Sequence, residues 1–120
     1  MDIAIDTQLG VSKMNYEQDK TANPIGLDGM EFIEYTSPQP ELLAQLFLQL
    51  GFKKIAKHKT KNVELYRQRG INFVLNREIS SFAEGFQKAH GPSICATGFR
   101  VKDAKKAMVE AIKRGAIECT

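Results

Sequence analysis

The sequence predicts an α+β fold: a βαβββ module followed by a truncated second βα copy of the same unit. Three observations predict it. Between residues 30 and 78, strand-like, helical and again strand-like runs succeed one another, joined by short breaks. A shift of 64 residues lays the first strand and helix over residues 94–115 and keeps the apolar helical phase. Both helical runs stop at a glycine, Gly51 and Gly115, which the same shift superimposes.

Residues 1–23 are polar without a sustained period and read as a flexible tail, in which Met14 is a second candidate start. NPIGLDG (Asn23–Gly29) is a turn-rich lead into a first module spanning 24–91. MEFIEYTS (Met30–Ser37) sets Phe32 and Glu34 on one face and Ile33 and Tyr35 on the other, the alternation of a strand. In the segment that follows, Ser37 or Gln39 can cap a helix with proline at its first position. Leu43, Phe47 and Leu50, with Leu46 beside them, form its apolar stripe, and Gly51 supplies a left-handed stop.

Three strand-like runs come next: Phe52–Lys59, Val63–Gln68 and Ile71–Glu78. Their separators, Thr60–Asn62 and Arg69-Gly70, are short enough for hairpins. Ile71, Phe73 and Leu75 share one face of the last strand, with Val74 on the other. SSFAEGFQKAHG reads as a short helix ended by Gly91-Pro92. Residues 92–120 then begin a second module, a strand over Ser93–Val101 and a helix capped by Asp103. Ala104, Ala107, Met108, Ala111 and Ile112 share one face of that helix, and Gly115 closes it. A copy that stops here leaves a sheet edge open and an apolar face uncovered, which more chain or a partner must complete.

Composition bounds the class. At 120 residues, 42% hydrophobic and 26% charged, the chain has the size and balance of one globular domain. A net charge of +3 is too mild for a nucleic-acid surface. Cys95 and Cys119 form no CxxC pair, so neither a disulfide framework nor a zinc finger is expected, and a cytoplasmic location fits. No basic n-region precedes an apolar run, and no stretch approaches the ~18 apolar residues of a membrane span.

NPIGLDGMEFIEY, LGFKKIAKHKTKNVELYRQRGINFVLNRE and HGPSICATGFRVKDAKKA, in that order and spacing, resemble the N-terminal part of the bacterial 4-hydroxyphenylpyruvate dioxygenases. The resemblance covers residues 23 to about 117. It implies the vicinal oxygen chelate fold, shared with glyoxalase and bleomycin-resistance proteins. It also implies a complete enzyme that converts 4-hydroxyphenylpyruvate and O2 to homogentisate and CO2 in tyrosine catabolism. Such an enzyme holds Fe(II) by two histidines and a glutamate in its C-terminal domain. None of those ligands maps onto this chain, so no catalytic, cofactor-binding or metal residue is assigned and no iron is expected on it. The implied partners are its own C-terminal catalytic domain and further copies of itself, with no nucleic acid and no membrane.

Read from the residues alone, His58 lies at a solvated strand end, and His90 is a turn residue whose ring donates to a backbone carbonyl. A metal triad would need both to meet Glu64 or Glu78, which their positions do not favour. Cys95 sits in a strand expected to be buried and reads as a small hydrophobe; Cys119 is uninformative. The basic run Lys53–Lys61 reads as edge-strand protection, and Arg100 as a surface or inter-domain contact. An alternative function is a stand-alone ligand-binding protein of the same superfamily, completed by dimerisation. A metal-dependent lyase or isomerase is disfavoured, because the strands offer too few ligands.

Overall fold

The computed structural model describes residues 23–119, so the flexible-tail reading of the first residues and the alternative start at Met14 lie outside the described residues. The elements are β1 (Leu27–Thr36), α1 (Pro40–Gln49), β2 (Lys53–Lys57), β3 (Val63–Gln68), β4 (Ile71–Asn76), α2 (Phe82–His90), β5 (Ser93–Val101) and α3 (Ala104–Lys113). Five strands form one sheet in the order β2-β3-β4-β1-β5. From β1 the chain crosses through α1 to the far edge, then returns by two antiparallel hairpins until β4 lies parallel to β1. The contacts divide into two units: Asp28–Arg100, and the residues before and after it, through Leu27 and from Val101.

In the larger unit the core lies between α1 and one face of the sheet. Phe47 is its centre, with ring centroids 5.0 Å from Tyr35, 5.0 Å from Phe73 and 5.4 Å from Tyr66. Phe52 stacks on Phe73 at 4.2 Å. Ala44 and Leu75 complete the packing, with Leu43 half-buried beside them. The alternation read for β1 and β4 holds, because Tyr35, Phe73 and Leu75 all point toward α1. Leu50, expected in the inward stripe, is instead exposed at the end of the helix.

Gln39 is the N-cap of α1 but makes no side-chain cap bond; Pro40, whose missing N–H needs no partner there, begins the helix. Ser37 serves the turn before it, its Oγ accepting from Gln39 N at 3.0 Å. At the other end, Gly51 (φ 96°) carries a paired stop: Gly51 N donates to Leu48 O at 3.0 Å and Phe52 N to Phe47 O at 2.9 Å.

In the smaller unit, Asn23 brackets the turn before β1, its amide accepting from Leu27 N at 2.7 Å and donating to Leu27 O at 2.8 Å. Lys102 N donates to Gly26 O at 3.0 Å. Asp103 caps α3 as expected, accepting from Lys106 N at 3.1 Å. Gly115 (φ 101°) ends α3 with the α1 pattern, Gly115 N to Ile112 O and Ala116 N to Ala111 O, both 2.9 Å. Under the 64-residue shift the bounds Pro40–Gln49 fall on Ala104–Lys113 and these bonds fall on one another. The repeat therefore extends to main-chain geometry.

Candidate functional site

The sheet face away from α1 is where side chains of five strands converge. One row crosses it: Ala56 opposes Leu65, Leu65 opposes Val74, and Val74 opposes Glu34. At its end Cys95 Sγ on β5 donates to Glu34 Oε2 at 3.0 Å. Period-two alternation puts these residues on one face because their neighbours Tyr35, Tyr66 and Phe73 are committed to the core. A hollow of roughly 210 Å³ lies beside the row, lined by Ala56, His58, Val63, Leu65 and Val74. That is smaller than the ~300–1,000 Å³ of preformed small-molecule pockets, so the face is an apolar shelf and not a closed pocket.

Helix α2 meets the sheet at one end of β1. The buried Thr36 hydroxyl lies 3.1 Å from Ala83 O and 3.0 Å from Gln87 Oε1. Ser81 starts α2, its Oγ accepting from Glu84 N at 3.2 Å, and Gly91 (φ 73°) ends it. Phe32 lies against Gly98 of β5, so closely that a Cβ at Gly98 would stand 2.3 Å from Phe32 Cε1.

Cys95 is half-buried, less than expected for its strand, and has a polar partner instead of a purely apolar setting. Burial first, and then the Glu34 carboxylate, push its thiol up to about 12, so at neutral pH it is a hydrogen-bond donor and not a nucleophile. His58 is exposed at the turn after β2, its Nδ1 accepting from Thr60 N at 3.2 Å and Lys61 N at 3.1 Å. His90 differs from expectation: it ends α2 with its ring 4.4 Å from that of Phe86, and the helix places it there before the turn begins. Glu78 accepts from Asn62 N at 2.8 Å, which ties the β2–β3 loop to the end of β4.

Glu64 points the opposite way, toward α1. It is buried in ion pairs with Lys54 on β2 and Arg77 beyond β4, and Arg77 also pairs with Glu41 on α1. Burial opposes its charge, yet the Lys54 ammonium and the Arg77 guanidinium outweigh it and hold the carboxyl below the usual carboxylate range. Burial and the neighbouring Glu64 charge raise the Tyr66 hydroxyl. Among the described residues, no three His, Cys, Asp or Glu side chains stand together as a metal would require. Lys53 and Lys57 are exposed on β2, which is an edge strand, in keeping with edge protection. Arg100 forms a surface pair with Glu31, Nε to Oε2 2.8 Å. Glu34, Gly98 and the Glu64 cluster went unremarked as partners in the sequence, because alternation reveals a face and not an opposite number.

The family described as hydroxyphenylpyruvate dioxygenase, N-terminal, matches residues 21–120. The chain is 51% identical over 94 residues to the 4-hydroxyphenylpyruvate dioxygenase of Pseudomonas sp. (strain P.J. 874), covering 78% of this chain and 26% of that one. A solved xylose isomerase-like TIM barrel/4-hydroxyphenylpyruvate dioxygenase fusion protein is 44% identical with TM-score 0.64, over 72% of this chain and 14% of its own. The crystal structure of methylmalonyl-CoA epimerase from Mycobacterium tuberculosis, 16% identical, covers 83% of this chain and 72% of its own with TM-score 0.64, a likeness of fold alone. This chain spans about a quarter of the length of the first of these relatives.

Proposed function

Since the chain belongs to the hydroxyphenylpyruvate dioxygenase N-terminal family, we propose that it serves as the non-catalytic N-terminal scaffold of a 4-hydroxyphenylpyruvate dioxygenase with the vicinal oxygen chelate fold. The complete enzyme converts 4-hydroxyphenylpyruvate and O2 to homogentisate and CO2, in the cytoplasm, as a step of tyrosine breakdown. Its Fe(II) lies in the C-terminal catalytic domain, and the scaffold's partners are that domain and other copies of the same chain. Among the described residues no three His, Cys, Asp or Glu side chains stand together as an iron triad needs, and Glu64 is already engaged by Lys54 and Arg77.

One observation carries the reading: identity near one half over 94 residues to a relative named 4-hydroxyphenylpyruvate dioxygenase. The apolar shelf agrees with it, since Ala56, Leu65 and Val74 offer packing surface and the Cys95 thiol at its end is tied to Glu34 as a hydrogen-bond donor. The test is oxygen uptake and homogentisate formation by the natural chain containing these residues, supplied with Fe(II). Activity there, with no tight Fe(II) binding by residues 1–120 in a calorimetric titration, is the expected result. A tight one-to-one iron site on this chain overturns the scaffold role.

A second reading has its own support. The match to a fusion protein whose other part is a xylose isomerase-like TIM barrel favours a scaffold attached to a different enzyme. The reading frame around these residues separates the two.

A further inference from the structure

We propose that the outward face of α1, formed by Leu42, Leu46 and Leu50, is a docking surface for α1 of a second copy of this chain. The inference names a surface for the self-association proposed above and rests on that part of the reading.

The internal repeat supplies the comparison. Leu42, Leu46 and Leu50 are 59%, 45% and 57% exposed, at i, i+4, i+8 spacing beside the inward face of half-buried Leu43 and buried Ala44 and Phe47. The 64-residue shift places them on Lys106, Glu110 and Arg114 of α3, where Arg114 Nε pairs with Glu110 Oε1 at 2.7 Å. The same module, with the same helix bounds and the same stop, thus carries charge at these positions in one copy and leucine in the other. The fold does not demand leucine there. Nor does any charge interrupt Leu42–Leu50, whereas Lys106–Arg114 holds Lys106, Glu110, Lys113 and Arg114. A solvent-facing helix surface without charge is unusual and marks contact.

Its chemistry selects the partner. In a two-fold antiparallel pairing centred on Leu46, Leu42 of one copy meets Leu50 of the other, and the helix dipoles oppose favourably. Gln45 and Gln49 flank the stripe with neutral amides, so like meets like without repulsion. The three leucines expose on the order of 300 Å² per copy, the scale at which a patch marks an interaction site. Doubled, about 600 Å² of apolar area matches the non-polar half of an interface of roughly 1,200 Å².

The test transplants the residues of the second copy onto the first: Leu42→Lys, Leu46→Glu and Leu50→Arg together, in the natural chain containing these residues. Sedimentation velocity across a concentration series and thermal unfolding are read for both proteins. The expected result is an associated parent, at least ~100-fold weaker association in the variant, and the same unfolding midpoint for both proteins at concentrations where each is dissociated. A monomeric parent overturns both the self-association reading and the surface. A variant that associates as tightly as the parent overturns the surface alone. A variant of unchanged mass whose midpoint falls shows that the stripe packs within its own chain, which also overturns the proposal.

Discussion

Gly98 is tightly constrained by its neighbour on β1. Phe32 occupies the space a side chain would need, with 2.3 Å between its Cε1 and a Cβ at Gly98. Gly98→Ala is expected to cost about 1–3 kcal/mol through displacement of that ring, read as a lowered midpoint in urea unfolding. In the Phe32→Ala background the same change should cost much less, the coupling expected of residues in contact. Cys95 makes a second prediction. With its thiol held up by burial and by Glu34, alkylation at pH 8 should run at least ~100-fold slower than at the exposed Cys119, and Glu34→Gln should accelerate it. Equal rates at the two cysteines would contradict the hydrogen-bonded geometry.

At the scale of elements, the Glu64 cluster is the clasp that joins α1, β2 and the end of β4 to β3. Its carboxyl titrates lower in the fold than in the unfolded chain, so folding binds fewer protons there. The stabilisation is therefore complete above the ordinary value of 4.5 and is lost as pH falls through the lowered folded value. Urea midpoints should be flat from neutral pH down to that range and then drop, with the drop reduced in Glu64→Gln. Glu64→Ala should cost about 3 kcal/mol at pH 7, because it leaves the mostly buried Arg77 without one of its carboxylates. Several element bounds were legible in the sequence. Val63–Gln68 and Ser93–Val101 are observed as read, since turn residues bracket both. Others differ for local reasons. β1 starts at Leu27, three residues before the expected Met30, because pairing in the sheet carries a Gly-containing segment that looks loop-like alone. β4 ends at Asn76, not Glu78, because Asn76 Oδ1 accepts from Glu78 N at 2.9 Å and turns the chain. β2 stops at Lys57, where the His58 ring gathers the N–H groups of Thr60 and Lys61.

For the whole molecule, the repeat was legible because its punctuation and phase survive although few identities do. The candidate face was legible only as an alternation. That Glu34 meets Cys95, or Phe32 meets Gly98, depends on how β5 is set against β1, and period two cannot fix that offset. The wider expectation concerns the exposed apolar groups of the second copy. Ile94 and Phe99 on β5, and Met108 and Ile112 on α3, stand about half exposed. Residues 1–120 alone should therefore bind a hydrophobic dye such as ANS more strongly than the natural chain containing them, measured by fluorescence at equal molar concentration. Equal binding would contradict the proposed scaffold role, in which the rest of the enzyme covers those groups.

The shared termination of α1 and α3 bears on how such a domain can diverge. Each stop is set by one left-handed glycine and two peptide-group contacts, so the ten residues ahead of it are released from any duty to end the helix. Duplicated halves of this kind can exchange a greasy exterior for a salty one without disturbing where each helix lets go of the chain. The kinship of the two halves is then written in the angles of two glycines more than in the letters between them.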